Sequence, residues 1–219
     1  MTATKLVIFD WDGTLCDSVA RIASCIQLAA AENQLNVPSR ENAADIIGLG
    51  LPEATNRLFP GIGEGQAARF TASYSAQFRS QDSVPCQFFE GVMETLSQLR
   101  AEGYLLAVAT GKSRAGLDRV LSALDMSSFF DSSRCADETL SKPNPLMLNE
   151  LLGELLVSAD DAVMVGDTEF DLEMAQRAGI RSIAMTYGAH SKDRLTVWNP
   201  VACLNNFSEI KNYVYISVI

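Results

Sequence analysis

The chain has 219 residues, 47% of them hydrophobic and 20% charged, with a formal net charge of −10, which suits a soluble globular domain or a core with an insertion. Its 17 basic residues form no cluster, so a nucleic-acid partner is not expected; no apolar run approaches the roughly 20 residues that span a bilayer, so neither is a membrane partner. The N-terminus shows no charged-then-apolar leader, and a cytoplasmic location is expected.

In chain order, "KLVIFD" (5–10) reads as a buried strand, hydrophobic on both faces. From Asp17 to about Cys86 no strand signal follows. Val19, Ile22, Ala23, Ile26 and Ala30, then Phe70, Tyr74 and Phe78, recur at helical spacing, separated by the loops "GLGLP" (48–52) and "FPGIGEG" (59–65). Beyond residue 87 strand and helix alternate. "YLLAVAT" (104–110), "AVMVGD" (162–167) and "RSIAMT" (181–186) read as strands. Helices are marked by Val92, Leu96 and Leu99, by Leu117, Val120, Leu121 and Leu124, by "PLMLNELLGELL" opened by Pro145, and by "FDLEMAQRAG" closed by Gly179. The expectation is an α/β fold with a doubly wound parallel sheet, core residues 1–17 and 87–219, and a helical cap over 18–86.

Five cysteines with no C-x-x-C pair, Cys16, Cys25, Cys86, Cys135 and Cys203, are read as buried reduced thiols. The single His190 excludes a two-histidine site and is read as a surface or loop residue. The apolar "YVYISVI" at 213–219 is read as a docked tail or an interface.

Chemistry concentrates where strands end. Asp10 and Asp12, two positions apart, are expected to face one spot, where paired carboxylates repel unless a cation or a shared proton joins them. Thr110, Gly111 and Lys112 end the second predicted strand and Asp167 the third. Lys142 is held extended by Pro143, and Asp171, four residues past Asp167, faces back from the first helical turn. "ATGKS" (109–113) imitates the end of a nucleotide-binding loop, but Leu106 stands where that loop needs glycine.

"DWDGT", "TGK", "KPNP" and "GDTEFD", in that order, resemble the four motifs of the haloacid dehalogenase superfamily, in particular its phosphatases with a helical cap after the first motif. "GDTEFDLEMAQRAGI" with "DGTLCDS" is similar to the phosphoglycolate phosphatase-like branch. The resemblance implies Asp10 as a nucleophile that becomes an aspartyl phosphate and Asp12 as general acid and then base. It further implies Mg²⁺ held by Asp10, the Asp12 carbonyl and Asp167, phosphate contacts from Thr110, Gly111 and Lys142, and Asp171 orienting Lys142 or the metal shell. Lys112 keeps the reading of a solvated surface lysine.

The implied activity is hydrolysis of a small phosphorylated metabolite by a monomer or homodimer. A phosphosugar mutase of the same superfamily is the alternative, and a phosphoaspartate signalling module the alternative of another class. Gly48 and Gly50, in a tip formed by "IIGLGLPEA" (46–54), and Arg57 beyond it are the residues expected to select the substrate.

Overall fold

The computed structural model describes residues 4–80 and 87–214. Six parallel strands, β1 (Leu6–Phe9), β2 (Leu105–Thr110), β3 (Ser132–Cys135), β4 (Ala162–Gly166), β5 (Arg181–Met185) and β6 (Ala202–Leu204), form one sheet in the order β3-β2-β1-β4-β5-β6. The chain winds outward from β1 to β3, then crosses to β4 and winds outward on the other side. A doubly wound sheet places ligands beyond the carboxyl ends of strands at that reversal.

Alternation along β1 shows why its strand is apolar throughout. Val7 and Phe9 enter a cluster with Val92, Leu96 and Leu99, whereas Leu6 and Ile8 enter another with Met147, Leu148 and Leu151. The helices behind these two layers are α5 (Val92–Ala101) on one face and α7 (Leu146–Leu155) on the other. Both faces are covered, so no polar alternation survives in the sequence.

Among the described residues four helices, α1 (Val19–Glu32), α2 (Arg40–Ala44), α3 (Leu51–Leu58) and α4 (Glu64–Ser80), precede α5. They share a cluster of their own around Ile22, Ile26, Ile46, Phe59, Phe70 and Phe78. The chain leaves and re-enters the core side by side: Asp17 N–H donates to Gln87 O at 2.9 Å and Phe89 N–H to Leu15 O at 3.0 Å. The remaining core helices are α6 (Arg114–Ala123), α8 (Glu169–Arg177), α9 (Lys192–Thr196) and α10 (Lys211–Val214).

Four differences from the sequence reading stand out. β3 and β6 were not expected; they are the sheet edges, short and partly exposed, and "SSRC" and "ACL" lack the apolar run of a central strand. α2 and α3 fall in the stretch expected to be helical but carry no apolar marker of their own, because each spans eight residues or fewer and shows barely two turns of periodicity. β1 stops at Phe9, so Asp10 and Asp12 lie just beyond the strand. His190 is buried, not at the surface. Cys16, Cys25 and Cys135 are buried and Cys203 is half-buried; Cys86 lies outside the described residues, as does the tail beyond Val214. Among the described residues no helix is long and apolar enough to cross a membrane.

Candidate active site

β1 pairs Phe9 with Val108 of β2 and Val165 of β4, which sets Asp10 within one residue of the level of Thr110 and Asp167. Asp10 N–H continues the ladder to Val165 O at 2.9 Å. The chain then folds over itself: Leu15 and Cys16 N–H both donate to Trp11 O, and Gly13 N–H donates to Cys16 O. Trp11 is driven into the core while Asp10 and Asp12 stay at the strand ends. Gly13 has φ +87°, and a Cβ there would lie 2.3 Å from Asp167 Oδ2. Only glycine allows that turn to press against Asp167.

Asp10 and Asp12 pair with different lysines. Lys142 Nζ lies 2.6 Å from Asp10 Oδ1 and 2.7 Å from Asp171 Oδ1, with all three side chains fully or almost fully buried. Lys112 Nζ lies 2.9 Å from Asp12 Oδ2, and Ser18 Oγ donates to Asp12 Oδ1 at 2.7 Å. Asp167 accepts from Thr14 Oγ1 at 2.6 Å and from Ala189 N–H at 2.7 Å. Asp171 closes a capping box at the start of α8, its Oδ2 accepting from Thr168 N–H and Thr168 Oγ1. Thr110 is buried, and its Oγ1 accepts from Lys112 N–H at 3.2 Å.

This cluster is short of positive charge. Three buried carboxylates, Asp10, Asp167 and Asp171, share one ammonium, leaving two formal negative charges unbalanced. Burial, with Asp171 and Asp167 nearby, pushes the Asp10 carboxyl well up against the opposing pull of Lys142. Burial and then Asp171 push Asp167 up to about 7. On Lys142, burial alone would lower the pKa; Asp10 and Asp171 outweigh it and hold the ammonium charged. Oxygens of Asp10, Asp167 and Asp171 lie within 4.8 Å of one another, and Asp10 Oδ2 is buried without a hydrogen-bond partner. An all-oxygen donor set with a surplus negative charge is compatible with a hard divalent cation.

The family described as haloacid dehalogenase-like hydrolase matches residues 7–185. A relative from Dickeya dadantii named probable phosphatase IndB is 35% identical, over 94% of this chain and 91% of its own. One from Pectobacterium atrosepticum named phosphoglycolate phosphatase is 33% identical, over 96% of this chain and 92% of its own. A crystal structure of a predicted phosphoglycolate phosphatase from Haemophilus somnus superposes with a TM-score of 0.87 at 25% identity, covering 97% of this chain and 99% of that one. The chain belongs to the haloacid dehalogenase-like hydrolases. Within them it is similar to the phosphoglycolate phosphatase branch.

In this haloacid dehalogenase-like hydrolase a cavity of about 310 Å³ opens above Asp10 and Asp12. Ile22, Ile26, Ile46, Ile47, Tyr74 and Phe78 wall it from the insertion, and Thr110, Gly111 and Lys112 line it from the core. Of the three expected selecting residues, Gly48 lines the cavity, whereas Gly50 and Arg57 do not. Gly50 N–H donates to Ser141 Oγ at 2.8 Å, and a Cβ there would lie 3.1 Å from Ala136 Cβ: this glycine docks the loop on the core. Arg57 lies 3.6 Å from Asp45 and 4.0 Å from Glu169, over the Phe170 ring, because carboxylates and an aromatic face outside the cavity offer it partners. A Cβ on Gly111 would lie 2.6 Å from the carbonyl oxygens of Gly48 and Leu49, so the missing side chain lets the insertion close on the strand end.

The sequence alone marks no role for Thr14, Ser18 and Thr168, and its readings of His190 at the surface and of Lys112 as solvated are corrected. The Lys112 side chain is 11% exposed, between Asp12 and the Phe78 ring 4.8 Å away, rather than solvated. His190 accepts from Glu169 N–H through Nδ1 at 3.0 Å and donates through Nε2 to Asp45 O at 3.1 Å, tying core to insertion. Burial and the nearby Arg194 guanidinium keep its pKa low, which suits the neutral ring this geometry requires. Thr14 and Thr168 sit inside motifs already marked by Asp12 and Asp167, so adjacency was their available signal.

Proposed function

We propose that this hydrolase cleaves small phosphate monoesters with Mg²⁺ through a covalent phosphate on Asp10. Phosphoglycolate is the first ester to test, since several relatives carry that name. The observation that carries the reading is the Asp10 carboxylate itself: buried, fixed through Oδ1 by Lys142, and left with Oδ2 unpartnered below an open cavity.

Lys142 holds the Asp10 carboxylate in one orientation and presents its ammonium charge to the phosphoryl group. Asp171 holds Lys142 in turn, anchored by Thr168. A carboxylate oxygen of Asp10 attacks phosphorus, and the ester oxygen leaves with a proton from Asp12. Asp12 then takes a proton from water, which attacks the same phosphorus, releasing phosphate and restoring Asp10. The Thr110 hydroxyl and the Gly111 backbone bind phosphoryl oxygens. Asp10, the Asp12 carbonyl and Asp167 would hold Mg²⁺, which neutralises the charge that otherwise keeps carboxylate and phosphate apart. Thr14 and Ala189 keep Asp167 aimed at that position.

Residues 18–86 act as a cap that excludes water and shapes the leaving-group cavity, over a core of residues 1–17 and 87–219. A cytoplasmic location and a monomeric or homodimeric state complete the reading. The mutase and signalling alternatives gain nothing from the comparisons, since the relatives matched over 91% and 92% of their length are named phosphatases. The test is phosphate release from a panel of phosphorylated metabolites with Mg²⁺. Release by the wild type and its loss in Asp10→Asn support the reading, and release by Asp10→Asn at the wild-type rate overturns it.

A further inference from the structure

Resting on the phosphatase reading, we infer that Lys112 selects substrates, binding a carboxylate carried on the carbon next to the ester oxygen. Four observations point there. Lys112 Nζ lies 2.9 Å from Asp12 Oδ2, and Asp12, as proton donor, must come within about 2.6–3.2 Å of the ester oxygen. Ser18 Oγ occupies Oδ1 at 2.7 Å, so the proton passes through Oδ2, and the ammonium and the ester oxygen that meet there are at most about 6 Å apart, two hydrogen-bond lengths in sequence. A carboxylate on the neighbouring carbon extends about 3 Å from the ester oxygen by ordinary bond lengths, and so comes within contact of that ammonium.

The second observation is how Lys112 is mounted. Its backbone is pinned at the end of β2, with N–H donating to Thr110 Oγ1 at 3.2 Å and the carbonyl accepting from Ala136 N–H at 2.9 Å. A fixed root with a flexible four-carbon stem lets the ammonium move from Asp12 to a ligand without disturbing the loop. Third, the Phe78 ring of α4 lies 4.8 Å from Nζ, covering the ammonium from the insertion side and limiting its access to solvent. Fourth, the net charge of −10 repels anions at long range, so an anionic leaving group needs a cation inside the cavity. Lys142 is already bound by Asp10 and Asp171. Arg79 and Arg119 also line the cavity; Arg119 donates to Ala115 O, and Lys112 is the lysine that touches Asp12.

The competing explanation is that Lys112 serves Asp12 alone, as its counter-ion. The two differ in how removing the charge depends on the substrate. Phosphoglycolate and ethyl phosphate share a two-carbon skeleton and differ in the carboxylate, so the ratio of their kcat/KM values isolates its recognition. With Mg²⁺ present, the wild type should prefer phosphoglycolate. In Lys112→Met that preference should shrink by about 10- to 100-fold, the range of one charge-assisted hydrogen bond. Lys112→Arg should keep most of the preference, and Arg79→Gln should leave it in place. An equal fall for both esters in Lys112→Met, an unchanged ratio, or a collapse in Arg79→Gln instead would overturn the inference while leaving the phosphatase reading standing. A wild type that hydrolyses neither ester nor any other monoester would overturn that reading, and this inference with it.

Discussion

Replacing Lys142 with methionine removes the ammonium shared by two buried carboxylates while keeping much of the side-chain volume. The pairs at 2.6 and 2.7 Å are closed to solvent, so water cannot take the place of the lysine. Removing one partner of such a pair costs about 3–5 kcal/mol. For a chain of 219 residues, where each kcal/mol moves Tm by roughly 2–4 °C, the expected loss is roughly 6–20 °C. Protonation of Asp10, already eased by its burial, should bring the loss toward the lower end in acid. Asp171→Asn in the same chain should recover part of it, because an amide oxygen can still accept from Thr168 while one stranded charge is gone. Thermal unfolding followed by circular dichroism in EDTA reads this directly. A Lys142→Met protein melting within about 2 °C of wild type would refute the view that this lysine carries the charge balance of the site.

Asp12→Asn should lower turnover by roughly 10²-fold or more with its melting temperature little changed, as the proton donor is lost; near-wild-type kcat would remove Asp12 from the reaction. Exhaustive EDTA treatment should abolish turnover and Mg²⁺ should restore it, with Ca²⁺ inhibiting because its looser shell misplaces the reacting groups; full activity in EDTA would contradict this. Asp167 has a folded pKa of about 7, above the roughly 3.9 of an unfolded aspartate, so between those values the folded state holds the extra proton. Its contribution to stability is therefore present below about pH 4 and lost as pH rises through about 7. In EDTA the Tm of the wild type relative to Asp167→Asn should fall across that window and flatten with Mg²⁺; a rise would reverse the assignment. Gly111→Val should cut kcat/KM at least about tenfold by driving its Cβ into the Gly48 and Leu49 carbonyls and holding the insertion open. Unchanged kcat/KM would show that this close contact is dispensable.

How much of this was legible before the structure depends on the kind of signal. The four central strands were visible because both faces of each are buried, which leaves uninterrupted apolar runs such as that of Leu6–Phe9. The edge strands Ser132–Cys135 and Ala202–Leu204 were not, since a strand with one covered side needs no such run. Asp10, Thr110, Lys142, Asp167 and Asp171 converge because three parallel strands end together and a helix start and an X-Pro segment border them, all of which local sequence encodes. Asp12 and Arg57 each have a partner far away in sequence. Lys112 meets Asp12 from the end of the neighbouring strand, and Arg57 of the insertion reaches Glu169 of the core, so the sequence around either residue shows nothing of its neighbour. The same holds for His190, whose ring joins Glu169 to Asp45 from a loop with no periodicity to mark it as buried.

The central claim is that the phosphoryl group passes through Asp10. A phosphate ester labelled at phosphorus, mixed with the enzyme and Mg²⁺ and quenched in acid within the first turnover, should leave label on the peptide that contains Asp10. That label should be released by hydroxylamine, as an acyl phosphate is, and should be missing from Asp10→Asn. Label on any other peptide, or steady phosphate release with no covalent label at any quench time, would contradict the account.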